Sequence, residues 1–430
     1  MKIITTQEFK GKELDGVVKR GKLDLSQISS SVDEIMSDVK ENGDSALLLY
    51  TEKFDNVHLA TSELKVTERE ISEAYKKLAK NQINSLKKAA NNIARFQKKQ
   101  LKNAWSMEMA KGVVAGQITR PFSSIGVYAP GGKASYPSSM LMCIIPAKVA
   151  GVKKIIVCSP PRENRNLNPA LLVAADLAGA TEIFKVGGAQ AIAAMAYGTE
   201  TLPKVDKIVG PGNIFVTAAK LKISKDVAID LPAGPSELLI IADETANPSF
   251  IAADLLAQAE HDPQTRTILL TTSKKLAQAV EKQISRQLPS LSRKEIIESS
   301  IQKGGLIVIV KNMDEAVNFA NLIAPEHLQI ETKNADKVFG KVQNAGAIFL
   351  GEYSPVAFGD YSSGLNHVLP TGGYAKFYSG LSTRDFVKTI SFLKCNKQGC
   401  QNLKKTTVEL AKMEGFDAHA KSVLIRGGTG

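Results

Sequence analysis

From about Ser124 onward, short apolar runs alternate with stretches of helical periodicity. IGVYAP (125–130), KKIIVCSP (153–160), EIFKVGG (182–188) and KIVGPG (207–212) read as strands, because near-continuous aliphatic runs mark strands covered on both faces. Between them lie Ala-rich helical stretches such as PALLVAADLAGA (169–180) and AQAIAAMAYG (189–198). Strands spaced by helices of that length imply βαβ units and a parallel sheet, one α/β unit over about 125–235. AIDLPAGPSELLIIAD (228–243) reads as strand, Pro/Gly turn, strand, and crosses into a second alternation. There the pattern predicts helix 248–260, strand 266–272, helix 274–288, strand 305–310, helix 313–323 and strand 346–350. The first 110 residues are helix-rich and charged. After Lys388 the strand signals fade, and TTVELAKMEGFDAHAKSV (406–423) reads as a helical tail.

Composition changes this picture little. At 430 residues the chain is too long for one ordinary core, and its 43% hydrophobic and 23% charged residues suit a globular protein. No apolar run approaches the ~18 residues of a membrane helix, and the first residues lack the form of a signal peptide. A cytoplasmic protein with no membrane partner is expected. The net charge of +12 invites a nucleic-acid reading. Much of it sits in 75–102, which has nine basic and no acidic residues, with Ile83, Leu86, Ala90, Ile93 and Leu101 at helical spacing. That pattern predicts one amphipathic helix with a solvated basic face, and no nucleic-acid module accompanies it. Of the four cysteines, Cys143 and Cys158 lie in aliphatic surroundings as core residues. Cys395 and Cys400 have no second ligand pair nearby to make a structural zinc site.

The five histidines carry most of the chemistry. His58 reads as a surface residue, whereas the other four stand in turn-rich or helix-end settings. Gln258 and His261 in DLLAQAEHDP are three apart, on one face at the end of a helix that Pro263 stops, a plausible pair of first zinc ligands. APEHL (324–328) joins Glu326 to His327 in a loop after a helix, a feasible acid/base pair. The Gly/Ser/Tyr-rich stretch 358–382 carries Asp360 and His367, and a loop that long is usually functional. Glu414 and His419 stand on the tail. Oxygen and nitrogen donors without thiolate suit a catalytic Zn²⁺, and leave a metal-dependent hydrolase and a metal-dependent dehydrogenase both open. No Rossmann glycine fingerprint is present: GPGN (210–213) lacks the third glycine, and APGGKAS (129–135) lacks the pattern of a triphosphate loop.

Together these segments resemble the histidinol dehydrogenase family. The likeness runs through GVYAPGGKASYPSSMLM (126–142), VGGAQAIAAMAYGTE (186–200), VDKIVGPGN (205–213), LPAGPSELL (231–239), LLAQAEHDP (255–263), APEHL (324–328), GDYSSGLNHVLPT (359–371) and EGFDAHA (414–420). It implies oxidation of L-histidinol to L-histidine through an enzyme-held aldehyde with two NAD⁺, the end of histidine biosynthesis. It further implies zinc on Gln258, His261, Asp360 and His419, with His327 as base and Glu326 activating water. By the same likeness Ser236, His327, His367 and Glu414 contact substrate, and Tyr128, Gln190 and Asn213 contact NAD.

The implied fold is α/β, with two incomplete Rossmann-like domains of parallel sheet plus small N- and C-terminal helical pieces. The expected division is an arm at 1–25, a discontinuous α/β domain at 26–127 and 236–380, a second at 128–235, and a helical tail at 381–430. That tail is expected to be exchanged in a homodimer, so that His419 and Glu414 reach the other subunit's site. The alternatives are a sister dehydrogenase of another small polar alcohol, such as a sulfonated diol, and a zinc hydrolase.

Overall fold

The computed structural model describes residues 1–20, 26–101, 104–131, 136–230 and 234–426. Parts of the APGGKAS turn and of LPAGPSELL, and the ends of the expected arm, basic helix and tail, lie outside them. The chain opens on β1 (Lys2–Thr5). Helices follow at Ser26–Asp55, broken by a kink at Gly43 (φ +52°), at Glu68–Lys77 and at Lys80–Lys98. Next comes an antiparallel pair, β2 (Trp105–Ala110) and β3 (Val113–Pro121).

Five strands then form a wholly parallel sheet: β4 (Ser124–Tyr128), β5 (Lys154–Cys158), β6 (Glu182–Phe184), β7 (Lys207–Val209) and β8 (Ala228–Ile229), in the order β6-β5-β4-β7-β8. The second alternation supplies β9 (Glu237–Ala242), β10 (Arg266–Thr271), β11 (Gly305–Ile309), β12 (His327–Glu331) and β13 (Ala347–Leu350). With β1 on its edge this sheet runs β1-β11-β10-β9-β12-β13, again parallel throughout. Leaving β1 aside, each sheet reads in chain order third, second, first, fourth, fifth: a doubly wound sheet without its sixth strand. The expected pair of incomplete Rossmann-like sheets is therefore present.

Local chemistry explains the boundaries. Asn168 and Asn247 accept hydrogen bonds from Ala170 and Ser249 N–H, and the proline after each opens a helix at its first position. Gly151 and Gly179 end the helices Pro137–Ala150 and Pro169–Ala178 in the left-handed conformation. β9 and β12, central in their sheet, are buried at every position.

Four features depart from expectation. The helices between Ser26 and Lys98 pack on the five-stranded sheet: Val32, Leu47 and Tyr50 share a core with Tyr128, Ile156 and Ile192, and Ile93 with Ile125 and Val127. Segment 26–127 was expected beside 236–380, but periodicity shows that a helix has an apolar face without showing what it faces. The 1–25 arm contributes β1 to the six-stranded sheet. The 75–102 helix breaks at Leu78, an extended residue between two helices. The segment after Lys388 is not helical at first, because β14 (Val387–Cys395) pairs antiparallel with β3. Its residues from Lys388 onward are exposed, so no apolar alternation announced it.

Candidate active site

The helix Pro248–Ala259 ends at the N-terminal edge of the six-stranded sheet and delivers Gln258, buried, with His261 just beyond its last turn. Glu326 and His327 arrive at the same edge. They were expected in a loop, but His327 is the first residue of β12 and both are buried. The strand is short and three of its five residues, His327, Gln329 and Glu331, are polar, which hid it. Backbone N–H of Glu237, at the start of neighbouring β9, donates to Glu326 Oε2 (2.8 Å), and His327 Nδ1 lies 3.0 Å from the Glu237 carbonyl. Nδ1–H therefore donates to a carbonyl, which leaves Nε2 as the nitrogen open to another partner. It is buried without a hydrogen-bond partner, 3.6 Å from Asp360 Oδ1, too far for a hydrogen bond.

Asp360 lies on the short helix Val356–Tyr361. Burial alone would raise its carboxyl, but His327, His367 and His261 around it hold it below its ordinary value. Two of the four histidines singled out from the sequence, His327 and His367, thus lie against Asp360, and His261 is near enough to act on its charge. Burial likewise pushes His327 down, yet the Glu326 and Asp360 carboxylates outweigh it and hold the imidazole up, to about 10. Glu326 is raised by burial against the opposing pull of His327. His367 is bridged at both nitrogens, Nδ1 to the Asp360 carbonyl (3.0 Å) and Nε2 to the Ser139 hydroxyl (2.9 Å), and burial pushes it down. Ser139 is in the first turn of Pro137–Ala150, which follows β4. The N-terminal edge of one sheet therefore faces the C-terminal edge of the other across this cluster.

Ser236 precedes Glu237 at that edge, and its carbonyl accepts from Arg266 N–H. Glu414 and His419 do not join the cluster within one chain. Both are exposed, the His419 ring lies tilted against Phe416 with centroids 5.3 Å apart, and no hydrogen bond or ion pair links either to the cluster among the described residues. Nor, among the described residues, do three or more His, Cys, Asp and Glu of one chain come together to hold a metal.

The expected NAD contacts collect at the C-terminal edge of the five-stranded sheet. Tyr128 ends β4, and its hydroxyl accepts from Gly188 N–H (3.2 Å). Gln190 is buried with both side-chain polar atoms unpartnered. Asn213 caps the helix Ile214–Ile223 by accepting from Val216 N–H (3.1 Å), which alone accounts for an asparagine there. Gly210, at φ +116°, leaves no space for a side chain against the Tyr128 carbonyl. Sequence reasoning missed Asp55 here. Its Oδ2 is buried and unpartnered, near Gly187, and burial pushes its carboxyl up to about 6. It also missed the ion pair of Arg20 with Glu237 (Nε–Oε1 2.5 Å, Nη2–Oε2 2.6 Å), which lies under the start of β9. Neither residue stands in a motif, and only the fold brings them to these edges.

The model of the histidinol dehydrogenase family matches residues 18–427. The chain belongs to that family. A histidinol dehydrogenase of Methanothermobacter thermautotrophicus is 50% identical over 415 residues, covering 96% of this chain and 97% of the relative. One from Caldanaerobacter subterraneus is 50% identical over 95% of each chain. The crystal structure of histidinol dehydrogenase from Elizabethkingia anophelis superposes with a TM-score of 0.93 at 41% identity, covering 99% of this chain and 97% of that one.

Proposed function

We propose that the chain oxidises L-histidinol to L-histidine with two NAD⁺ and one water. The observation that carries this reading is the buried Glu326–His327 pair, with Nε2 unpartnered and aimed toward Asp360 among three imidazoles. In the first oxidation His327 Nε2 takes the hydroxyl proton while hydride passes to NAD⁺, giving the aldehyde. Glu326 then draws a proton from water as it adds to the aldehyde, while His327 returns its proton to the aldehyde oxygen, giving the hydrate. His327 takes a hydroxyl proton of the hydrate as the second hydride leaves, and the acid loses its remaining proton to solvent to give the carboxylate.

The donor set fits a zinc ion: Gln258, His261 and Asp360 offer oxygen and nitrogen without thiolate, and Asp360 is held anionic in a buried position. The fourth ligand, in this reading, is His419 of the partner subunit. Zinc held there supplies an anchor for the substrate's amino and imidazole nitrogens. Asp360, if it ligated a divalent cation, would no longer help to raise His327, leaving Glu326 as the carboxylate that does. Ser236, His367 and the partner's Glu414 complete the substrate contacts.

Tyr128, Gln190 and Asn213 form the NAD rim, where the orphaned Gln190 amide and the Asp55 carboxylate suit a nucleotide's hydroxyls. A homodimer accounts for the tail. Its two helices share a core of only Val408, Ala411 and Ala420, and the sheet beneath exposes Trp105, Met107, Met109, Ile390 and Leu393. We place the enzyme in the cytoplasm; among the described residues no helix is long and apolar enough to cross a membrane.

The test is to supply zinc, NAD⁺ and L-histidinol and to follow NADH and product together. Two NADH per histidine is the expected result. NADH formed with another alcohol but not with histidinol would point to a sister enzyme, and hydrolysis without NAD to the hydrolase reading. Relatives at about half identity favour neither alternative.

A further inference from the structure

On the N-terminal edge of the six-stranded sheet, a cavity of about 210 Å³ opens beside the catalytic cluster. Arg20, Arg266 and Lys303 line it together with Glu237, Gln264 and Tyr374, and none of the proposed zinc or proton-transfer residues does. Three cations therefore face one carboxylate. Arg20 is already committed, bidentate to Glu237 and bonded to the carbonyls of Val17 and Ile323. Among the described residues no hydrogen bond or ion pair engages the side chain of Arg266 or Lys303. Burial pushes the Arg266 guanidinium below its ordinary value, and the Arg20 charge beside it pushes the same way, against Glu237.

A half-buried guanidinium that repels its neighbour is stabilised by any anion brought alongside. At roughly 30 Å³ per water the cavity holds about seven waters, enough for a phosphate or small carboxylate but not for a dinucleotide. We propose that this cavity binds a small oxyanion, phosphate or carboxylate, held by Arg266 and Lys303 with Gln264 and the Tyr374 hydroxyl as neutral donors. Arg266 offers the planar fork that takes two oxygens at once, and Lys303, at the exposed mouth, adds a mobile point charge. The site needs neither the metal nor the proton-transfer pair.

Calorimetric titration of the full-length protein with inorganic phosphate, at constant ionic strength in chloride, tests this directly. One phosphate per chain is expected, weakened about tenfold in Arg266→Gln and in Lys303→Gln, the loss of one charge-assisted contact. Lys303 is exposed, so its variant remains informative if Arg266→Gln fails to fold. Competition by acetate would extend the site to carboxylates, and its absence would restrict it to phosphate. No saturable uptake, or uptake undiminished in the folded variants, would overturn the assignment.

Discussion

His327 spends one ring nitrogen on the Glu237 carbonyl and leaves the other, the proposed base, without a partner. Asparagine keeps a donor for that carbonyl but has no basic nitrogen. His327→Asn is therefore expected to lower both oxidations by about 10²–10⁴-fold, read as NADH release from histidinol and, separately, from the aldehyde. Glu326→Gln retains an oxygen for the Glu237 N–H, so the fold should hold. Its loss should fall mainly on the aldehyde step, with less histidine formed per NADH; unimpaired histidine formation would remove Glu326 from the water step. Asp55 makes a prediction with two opposed readouts. Its folded pKa of about 6 lies above the ordinary 3.8, so the native state holds the extra proton between those values. Stability from this group is complete below the lower value and is lost as pH rises through the upper one. Asp55→Asn should thus melt higher than the parent at pH 8 and no higher at pH 3.5, while the KM for NAD⁺ rises about tenfold from the lost charged acceptor.

At the scale of elements, the ion pair of Arg20 and Glu237 pins the N-terminal segment under the start of β9, with both side chains nearly inaccessible. Removing one partner leaves an uncompensated buried charge, so Arg20→Met should cost about 3–5 kcal/mol in denaturant unfolding. The double variant Arg20→Met with Glu237→Leu should recover most of that loss. If the single variant is as stable as the parent, the pair does not hold this edge. The parallel alternation was legible because strands buried on both faces are near-continuous in apolar residues, and Asn-Pro pairs mark helix starts. β12 was not, since its first residue is the functional histidine and its third and fifth are the buried Gln329 and Glu331. β14 escaped for the opposite reason, being exposed along nearly its whole length.

At the scale of the molecule, Gln258 and His261 were legible as a pair because they stand three apart, on the end of one helix and in the turn that follows it. Asp360 came from the family likeness, and the structure brings it to them through a strap bonded to the other sheet's first helix. His419 is a different case: exposed and unlinked to the cluster within one chain, it reaches a site only in the proposed dimer. Shared sites predict complementation. Chains carrying His327→Asn and chains carrying His419→Asn should each be inactive alone. Refolded together in equal amounts, they should regain about a quarter of the parent activity, since half the dimers are mixed and each mixed dimer holds one intact site. No recovery despite mixed dimers in native mass spectra would mean that each chain completes its own site.

The two sheets meet edge to opposite edge, and this polarises the space between them. The helices Pro248–Ala259 and Met313–Ile323 point their C-terminal ends at the cluster, while Pro137–Ala150, Gly188–Tyr197 and Ile214–Ile223 start on the opposite rim. Each helix end carries about half an elementary charge, negative at the carboxyl end and positive at the amino end. One rim of the cleft is thus electronegative and suited to a metal cation. The other is electropositive and suited to a pyrophosphate. A cofactor and a metal entering the same cleft would be sorted to opposite walls by the backbone itself, before any side chain distinguishes them. On the electronegative wall an anion needs side-chain cations to hold it, and Arg266 and Lys303 supply them in the neighbouring cavity.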